Sequence, residues 1–321
     1  MTRRPPSRAA QRQRGAALLT AMIIVTLVAT LASAMIWQQW RAVQIEAAER
    51  SRAQSAWILD GALDWARLIL REDARTGGAD HLGEPWAVPL AEARLSTFLA
   101  ADRDRTDDAP EAFLAGSIVD AQGRYNLRNL LDGQNRVVPV ELETLRRLCE
   151  SLQIDPGVAD RIAGGLAAAL AAPTTGPPGS GAILPRDERQ LGWLGVDPDT
   201  VQRLLPYVAL LPGATPLNLN TAPREVIAAV VPGLDLASAE RLVQARQRNP
   251  LRNVGEAQVL LPAGLPPLNT QRVGIASSHF EVRGRLRIAE RVLEERSLVQ
   301  RRGIEVVALH RERIARHDEV R

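Results

Sequence analysis

From Gly15 to Trp40 the sequence holds no charged residue, and that run limits the fold more than any other feature. A helix rises about 1.5 Å per residue, so about 20 apolar residues cross the hydrocarbon of a bilayer. The run is long enough. Arg3, Arg4, Arg8, Arg12 and Arg14 stand before it, so the positive-inside bias predicts a cytoplasmic N-terminus, with everything after Trp40 carried across the membrane.

Two processing sites compete. Ala32-Ser33-Ala34 is a small-residue cleavage pattern; its use would free a soluble protein beginning at Met35. Against it, the apolar stretch of about 22 residues exceeds the roughly 7 to 15 of a secretory signal core. Gly15 is the other, ahead of the apolar run. Cutting there leaves Ala16 as a new N-terminus with the membrane helix still attached.

That second arrangement resembles the class III signal of type IV pilins and type II secretion pseudopilins. The resemblance implies cleavage between Gly15 and Ala16 by a prepilin peptidase and N-methylation of Ala16. Those proteins carry glutamate as the fifth mature residue; here that position is Thr20. A carboxylate in the bilayer costs about 2.5 to 3.5 kcal/mol on insertion scales and is kept for a partner. In a pilin fibre the partner is the free amine of the subunit ahead, and a subunit at the tip has none ahead. The K-type minor pseudopilins, the general secretion pathway protein K family, lack the glutamate, are unusually long and carry an inserted helical domain. The chain resembles them on all three counts.

Bulk charge gives no support to a nucleic-acid partner. The formal charge is +3, but five of the 40 basic residues precede Ala16, so a chain cut there carries 35 basic against 37 acidic side chains, a charge of −2. Such a balance offers no polyanion field. Every basic side chain is Arg. Cys149 is the only cysteine; no internal disulfide is possible, and its place among leucines predicts a small buried hydrophobe.

Beyond Trp40 the helical pattern continues. Ala56, Leu59, Leu63, Ala66 and Leu70 form one apolar stripe, predicting a single helix from about Ala16 to Glu72 that stops at Gly77-Gly78. The next segment predicts a short helix from Glu92 to Ala100 and an Asp-rich loop. Asp102, Asp104, Asp107 and Asp108 offer hard oxygen ligands for calcium, which pseudopilins as a group use, although the spacing fits no defined loop and Arg103 and Arg105 interrupt it. A solvated loop is the plainer expectation.

Gly116 to Val137 predicts a β-hairpin, with Ser117-Ile118-Val119 as one strand, Gln122-Gly123 as the turn, and Tyr125 and Leu127 alternating on the second. The string Asp120, Gln122, Gly123, Arg124, Tyr125, Asn126, Leu127, Asn129, Leu130 closely resembles the family's sheet-forming hairpin. Asn126 and Asn129 are expected to satisfy buried backbone groups where the chain leaves the sheet.

From Val140 to Leu268 the pattern is helical, with helices opening at Asp155-Pro156 and Asp197-Pro198 and a loop at Pro173 to Gly181. Leu142, Leu145, Leu148 and Leu152 form one stripe; Val201, Leu204, Leu205 and Val208 form another. Pro216 to Leu260 resembles a helix-hairpin-helix: one helix from Pro223, a hairpin at Pro232 to Asp235, Ala239 at the helix crossing, a second helix to Arg248. DNA-binding versions read Gly-x-Gly in the hairpin so that backbone N–H groups meet a phosphate. Here the second glycine is Asp235, which repels one. The tail alternates Phe280, Val282, Leu286 and Ile288, then Ile304, Val306 and Ala308, with Gly284 and Gly303 as breaks. Strands from both ends of the head are expected to meet in one sheet.

No catalytic constellation emerges. His81, His279, His310 and His317 lack metal-ligand spacing, and no phosphate loop or nucleophile elbow is present. The expected architecture is α+β: a pilin-like long N-terminal helix on an antiparallel sheet, with a large inserted all-helical domain containing helix-hairpin-helix-like elements. The expected divisions are 1–15 leader, 16–40 membrane span, 41–76 extracytoplasmic helix, 77–138 first part of the pilin-like domain, 139–270 inserted domain and 271–321 C-terminal strands.

The resemblance implies a non-enzymatic minor pseudopilin at the tip of the type II secretion pseudopilus, anchored once in the inner membrane. Its implied partners are the minor pseudopilins I and J, the major pseudopilin, prepilin peptidase and secreted proteins; no nucleic acid and no cofactor other than calcium is expected. The alternative is a membrane-anchored periplasmic helix-hairpin-helix DNA-binding protein of a competence-type pilus.

Overall fold

The structure, a computed structural model, describes residues 8–95, 111–171, 183–288 and 291–317. The chain divides into two compact units, one ending at Ile58 and one beginning at Leu59. Helix α1 runs from Arg8 to Thr76, longer at both ends than the periodicity predicts. From Ala16 onward it is long and apolar enough to cross a membrane, its best window having a mean hydropathy of 2.3 with nothing buried in the protein. The predicted stop holds: Gly77 and Gly78 take φ of +65° and +126°, and the Gly77 N–H closes on the Asp73 carbonyl at 3.1 Å, a left-handed termination that L side chains resist.

In the second unit, five antiparallel strands form one sheet in the order β1 (Leu90–Arg94), β2 (Ala112–Asp120), β7 (His279–Ile288), β8 (Arg291–Arg302), β9 (Glu305–His317). Leu63, Ala66 and Leu70 of α1 pack on Ile118, Phe280, Val282, Val299 and Val306 of its inner face. Each fully buried leucine there is worth about 1.5 to 3 kcal/mol. The Trp86 ring meets Phe280 edge-on at 5.3 Å, closing that core.

Four local expectations are corrected. Glu92 to Arg94 are strand, because β1 pairs with β2 and Arg287 of the neighbouring β7 bonds Glu92 at 2.7 Å. Cross-strand partners override the helical propensity of the segment. Gly284 is no break: β7 runs straight through it, and a Cβ there would lie 3.2 Å from a Leu59 methyl, so the glycine admits α1. Ile304 is exposed in the β8–β9 turn beside Gly303, φ +58°. It does not share the face of Val306.

The fourth is the hairpin. β2 ends at Asp120 and a short helical turn spans Ala121–Gly123; β3 (Tyr125–Asn126) then pairs in parallel with β4 (Val208–Ala209) and makes no ladder with β2. On the side away from β1, β2 pairs with β7, with Asp120 opposite Phe280. The two flanks of the insertion are thus adjacent, as expected.

Between them lie α2 (Pro139–Ser151), α3 (Gly157–Leu170), α4 (Pro198–Leu204), α5 (Arg224–Val230), α6 (Leu236–Arg248) and α7 (Val254–Leu260), with β5 (Leu217–Asn218) paired in parallel to β6 (Val273–Gly274). Their common core takes Leu145, Leu148, Cys149, Ile162, Leu204, Ile227 and Leu242, and also Tyr125, Leu127, Leu130 and Val273. The packed insertion therefore begins around Tyr125, ahead of residue 139, because the string that was expected to make a hairpin turns inward instead. Asp197 caps α4 through the Thr200 N–H at 2.9 Å. Pro198 is its first helical residue.

Candidate functional site

Two places hold the residues singled out by sequence. The first is the start of the apolar helix. Gly15, Ala16 and Thr20 all lie in α1, and the Thr20 hydroxyl donates to the Ala16 carbonyl at 2.9 Å. A threonine at this position is satisfied within its own helix. It needs no partner in hydrocarbon, where a carboxylate would.

The second is the joint where the insertion leaves and re-enters the sheet domain. Asp120 ends β2, fully buried, and its carboxylate collects four donors: the Gln122 N–H at 2.7 Å, the Asn218 amide at 2.9 Å, and the Thr221 and Ser277 hydroxyls at 2.6 Å each. Burial pushes its carboxyl above the usual range, against these four bonds. The Gln122 side-chain oxygen accepts from the Ser278 N–H at 2.6 Å while its amide donates to the Pro216 carbonyl at 3.1 Å. One residue of the string thus bonds both the middle of the insertion and the returning chain.

Arg124 extends the joint as a buried cation between two carboxylates, Glu188 at 3.0 Å and Glu281 at 2.9 Å. Burial disfavours its charge, but the two acids outweigh that and raise its pKa. Glu281 is held below the carboxylate range despite its burial, by the charges of Arg124 and Arg283. Such a network is weak evidence of net stability and better evidence of fixed registry: it ties the insertion, through Glu188, to the sheet, through Glu281.

Tyr125 donates to Glu141 at 3.0 Å, and Arg272 pairs with the same carboxylate at 2.7 Å. Asn126 donates to the Gly213 carbonyl at 2.7 Å and accepts from the Leu211 N–H at 3.2 Å. Asn129 donates to the Thr215 carbonyl at 2.9 Å and accepts from its N–H at 3.0 Å. Both asparagines satisfy backbone, as the sequence led one to expect. The Asn220 side chain does the same for Leu251, accepting from its N–H and donating to its carbonyl, both at 2.9 Å.

The helix-hairpin-helix block takes the expected form, with α5, a turn at Gly233 of φ +78°, and α6. Ala239 is fully buried. Asp235 caps α6 by accepting from the Ser238 N–H at 2.6 Å. Its carboxylate takes a donor that a phosphate would need and adds a like charge.

Asp102, Asp104, Asp107 and Asp108 lie outside the described residues. Among the described residues one acidic group, Asp73, Asp80 and Glu84, brings its oxygens within 4.8 Å of one another, in a cleft of about 260 Å³. All three carboxylates already accept from the protein. Arg301 pairs with Asp73 at 2.5 Å and Asp80 at 2.6 Å, the Ser277 N–H takes Asp80, and Glu84 accepts from the His81 N–H and the Trp86 indole. A dication there would have to displace a guanidinium, so these residues as arranged do not fit a metal. Burial raises both Asp73 and Asp80, with Glu84 adding to the effect on Asp73.

The sequence reading missed Asp80, Ser277, Glu188, Glu281 and Arg301. Each is brought to its partner only by the fold. The one local signal was Glu281, a carboxylate directly preceded by Phe280 and followed by Val282 on the inner face of a strand.

Two family models described as type II secretion system protein K match the chain, at residues 123–213 and 217–280. Together they run from just after Gln122, through most of the insertion, to Phe280 in β7. Type II secretion system protein K of Pseudomonas aeruginosa is 32% identical over 262 residues, covering 74% of this chain and 73% of that protein. The protein of the same name from Pectobacterium carotovorum is 28% identical, covering 94% and 96%. Among solved structures, a chain of the GspK-GspI-GspJ complex from the enterotoxigenic Escherichia coli type 2 secretion system superposes with a TM-score of 0.65 at 20% identity, covering 83% of this chain and 98% of that one. The chain belongs to the type II secretion system protein K family.

Proposed function

We propose that this chain is a non-enzymatic minor pseudopilin at the tip of the type II secretion pseudopilus, anchored by α1 in the inner membrane with its N-terminus cytoplasmic. There it assembles with the minor pseudopilins I and J, and through them with the major pseudopilin, to start the fibre that drives export. Prepilin peptidase cuts between Gly15 and Ala16 and methylates Ala16. The relative of known structure was solved in a complex with GspI and GspJ, which supports the choice of partners.

The observation that carries the tip position is Thr20. Its hydroxyl is bonded back to the Ala16 carbonyl, so the helix asks for no amine from a subunit ahead. On this reading the insertion, fastened at both flanks to the sheet, leaves no room for a subunit ahead, and growth proceeds from below. The mechanism is steric, and its chemistry is packing.

Co-expression tests it. The head lacking residues 1 to about 40, the length of the leader and membrane span, is to be purified with the candidate I and J heads. Co-elution as a stoichiometric complex is the expected result. A head that stays monomeric with both partners would remove the assembly reading.

A further inference from the structure

We propose that Trp37, Trp40 and Arg41 form a collar that seats α1 at the phospholipid headgroup level of the leaflet facing away from the cytoplasm. This rests on the membrane-anchor reading above and adds a depth to it. Counted from Ala16, hydrocarbon about 30 Å thick takes about 20 residues of straight helix, which puts Ile36 at its far edge. Trp37 is the next residue.

Trp37 and Trp40 are three apart and so lie on neighbouring positions of one helix face. Both rings are 59% exposed. An indole joins a large apolar ring to an N–H donor, the combination that concentrates at the membrane interface, where one end of the side chain is dry and the other wet. Arg41 is the first charge after the run. Its guanidinium sits 5.2 Å from the centre of the Trp37 ring, held against the indole where a lipid phosphate accepts its forked N–H donors.

Below the collar the hydroxyl groups make no competing demand. Thr26, Thr30 and Ser33 each bond a carbonyl three or four residues back, at 2.8 to 2.9 Å. The hydrocarbon segment is therefore satisfied throughout, and the first side chains that require a polar surrounding are those from Trp37 to Arg41, with the amides of Gln38 and Gln39 between the two indoles. In the chain cut before Ala16, Arg41 is the charge that limits sliding, since movement towards the cytoplasm would drag its guanidinium into hydrocarbon.

The test uses the full chain reconstituted in phosphatidylethanolamine and phosphatidylglycerol vesicles, with bromine carried either close to the headgroup or deep in the acyl chain. Fluorescence of the chain is compared with that of the Trp37→Phe/Trp40→Phe variant, whose difference isolates the pair. The pair should be quenched at least about twofold more by shallow than by deep bromine, and Arg41→Ala should pull that ratio towards one. Equal or deeper quenching, or no quenching of a chain that floats with the vesicles, overturns the collar; the last result would assign the pair to a protein neighbour. A chain that fails to float removes the anchor reading itself.

Discussion

The Asp120 carboxylate accepts the Thr221 hydroxyl at 2.6 Å, joining the last residue of β2 to a segment 101 positions further along the chain. With Ser277 on the same oxygen at 2.6 Å, one buried side chain holds the end of β2, the middle of the insertion and its return. Asp120→Ala leaves two hydroxyls, an amide and a backbone N–H without that acceptor. A loss of about 3 kcal/mol or more is expected, read as a lower denaturation midpoint of the full chain in detergent.

The same carboxylate sets a pH dependence. Burial raises it above its ordinary value of 3.8, while bonds from Ser277, Thr221, Gln122 and Asn218 pull the other way. The folded chain therefore holds this proton more firmly than the unfolded one. Its contribution is full below the unfolded value and is lost as pH rises through the folded one. Asp120→Asn keeps the shape and removes the titration, and subtracting variant from wild type cancels the similar shifts of Asp73 and Asp80. Denaturation across a pH series should show wild type losing ground to Asp120→Asn as pH rises above 3.8. The opposite slope would contradict the burial argument.

Gly123 is the tightest point of the joint. A Cβ there would stand 2.8 Å from the Thr221 hydroxyl oxygen and 3.2 Å from the Thr221 backbone carbon. The second of these neighbours cannot rotate aside. Gly123→Ala should destabilise by about 1 to 3 kcal/mol, whereas Gly133→Ala, with nothing within 4 Å of the added atom, should be close to neutral. A similar midpoint for both variants would count against the close approach.

Local pattern was enough for the parts of this chain whose partners are local. The stripe Leu59, Leu63, Ala66, Leu70 wrote the buried face of α1, Gly77-Gly78 its end, and Asp197 the start of α4. The hairpin failed because alternation specifies a strand and is silent about its partner: Tyr125 and Asn126 pair with Val208 and Ala209, more than 80 residues away. Gly284 looked like a break for the same reason, since a glycine that admits a packed helix and one that bends a strand are written alike. Asp80 and Ser277 carried no signal at all. Their roles exist only once β7 lies beside β2.

Arg124 gives a test of registry. Removing it leaves the buried Glu188 without its cation, while Glu281 keeps Arg283 at 2.6 Å and Arg296 at 3.0 Å, a change worth about 3 kcal/mol. Arg124→Ala should therefore unfold at markedly lower denaturant. In Arg124→Met/Glu188→Gln, which removes the stranded charge and leaves Glu281 to Arg283 and Arg296, most of that loss should be recovered. Recovery of stability without recovery of co-elution with I and J would mean that the ion bridge fixes the pose of the insertion more than it stabilises the fold.

The reading of α1 stands on where the chain is cut. Gly15 has no side chain to obstruct a peptidase, and everything that anchors the chain lies after it. Gly15→Leu should leave full-length precursor in the membrane, while wild type should yield a chain beginning at Ala16 with the added mass of one methyl group. Intact mass and N-terminal sequencing of protein purified from membranes read both. A terminus at Met35 would strip away Thr20 and most of the apolar segment, detach the head from the bilayer and leave no rod with which a subunit enters a fibre.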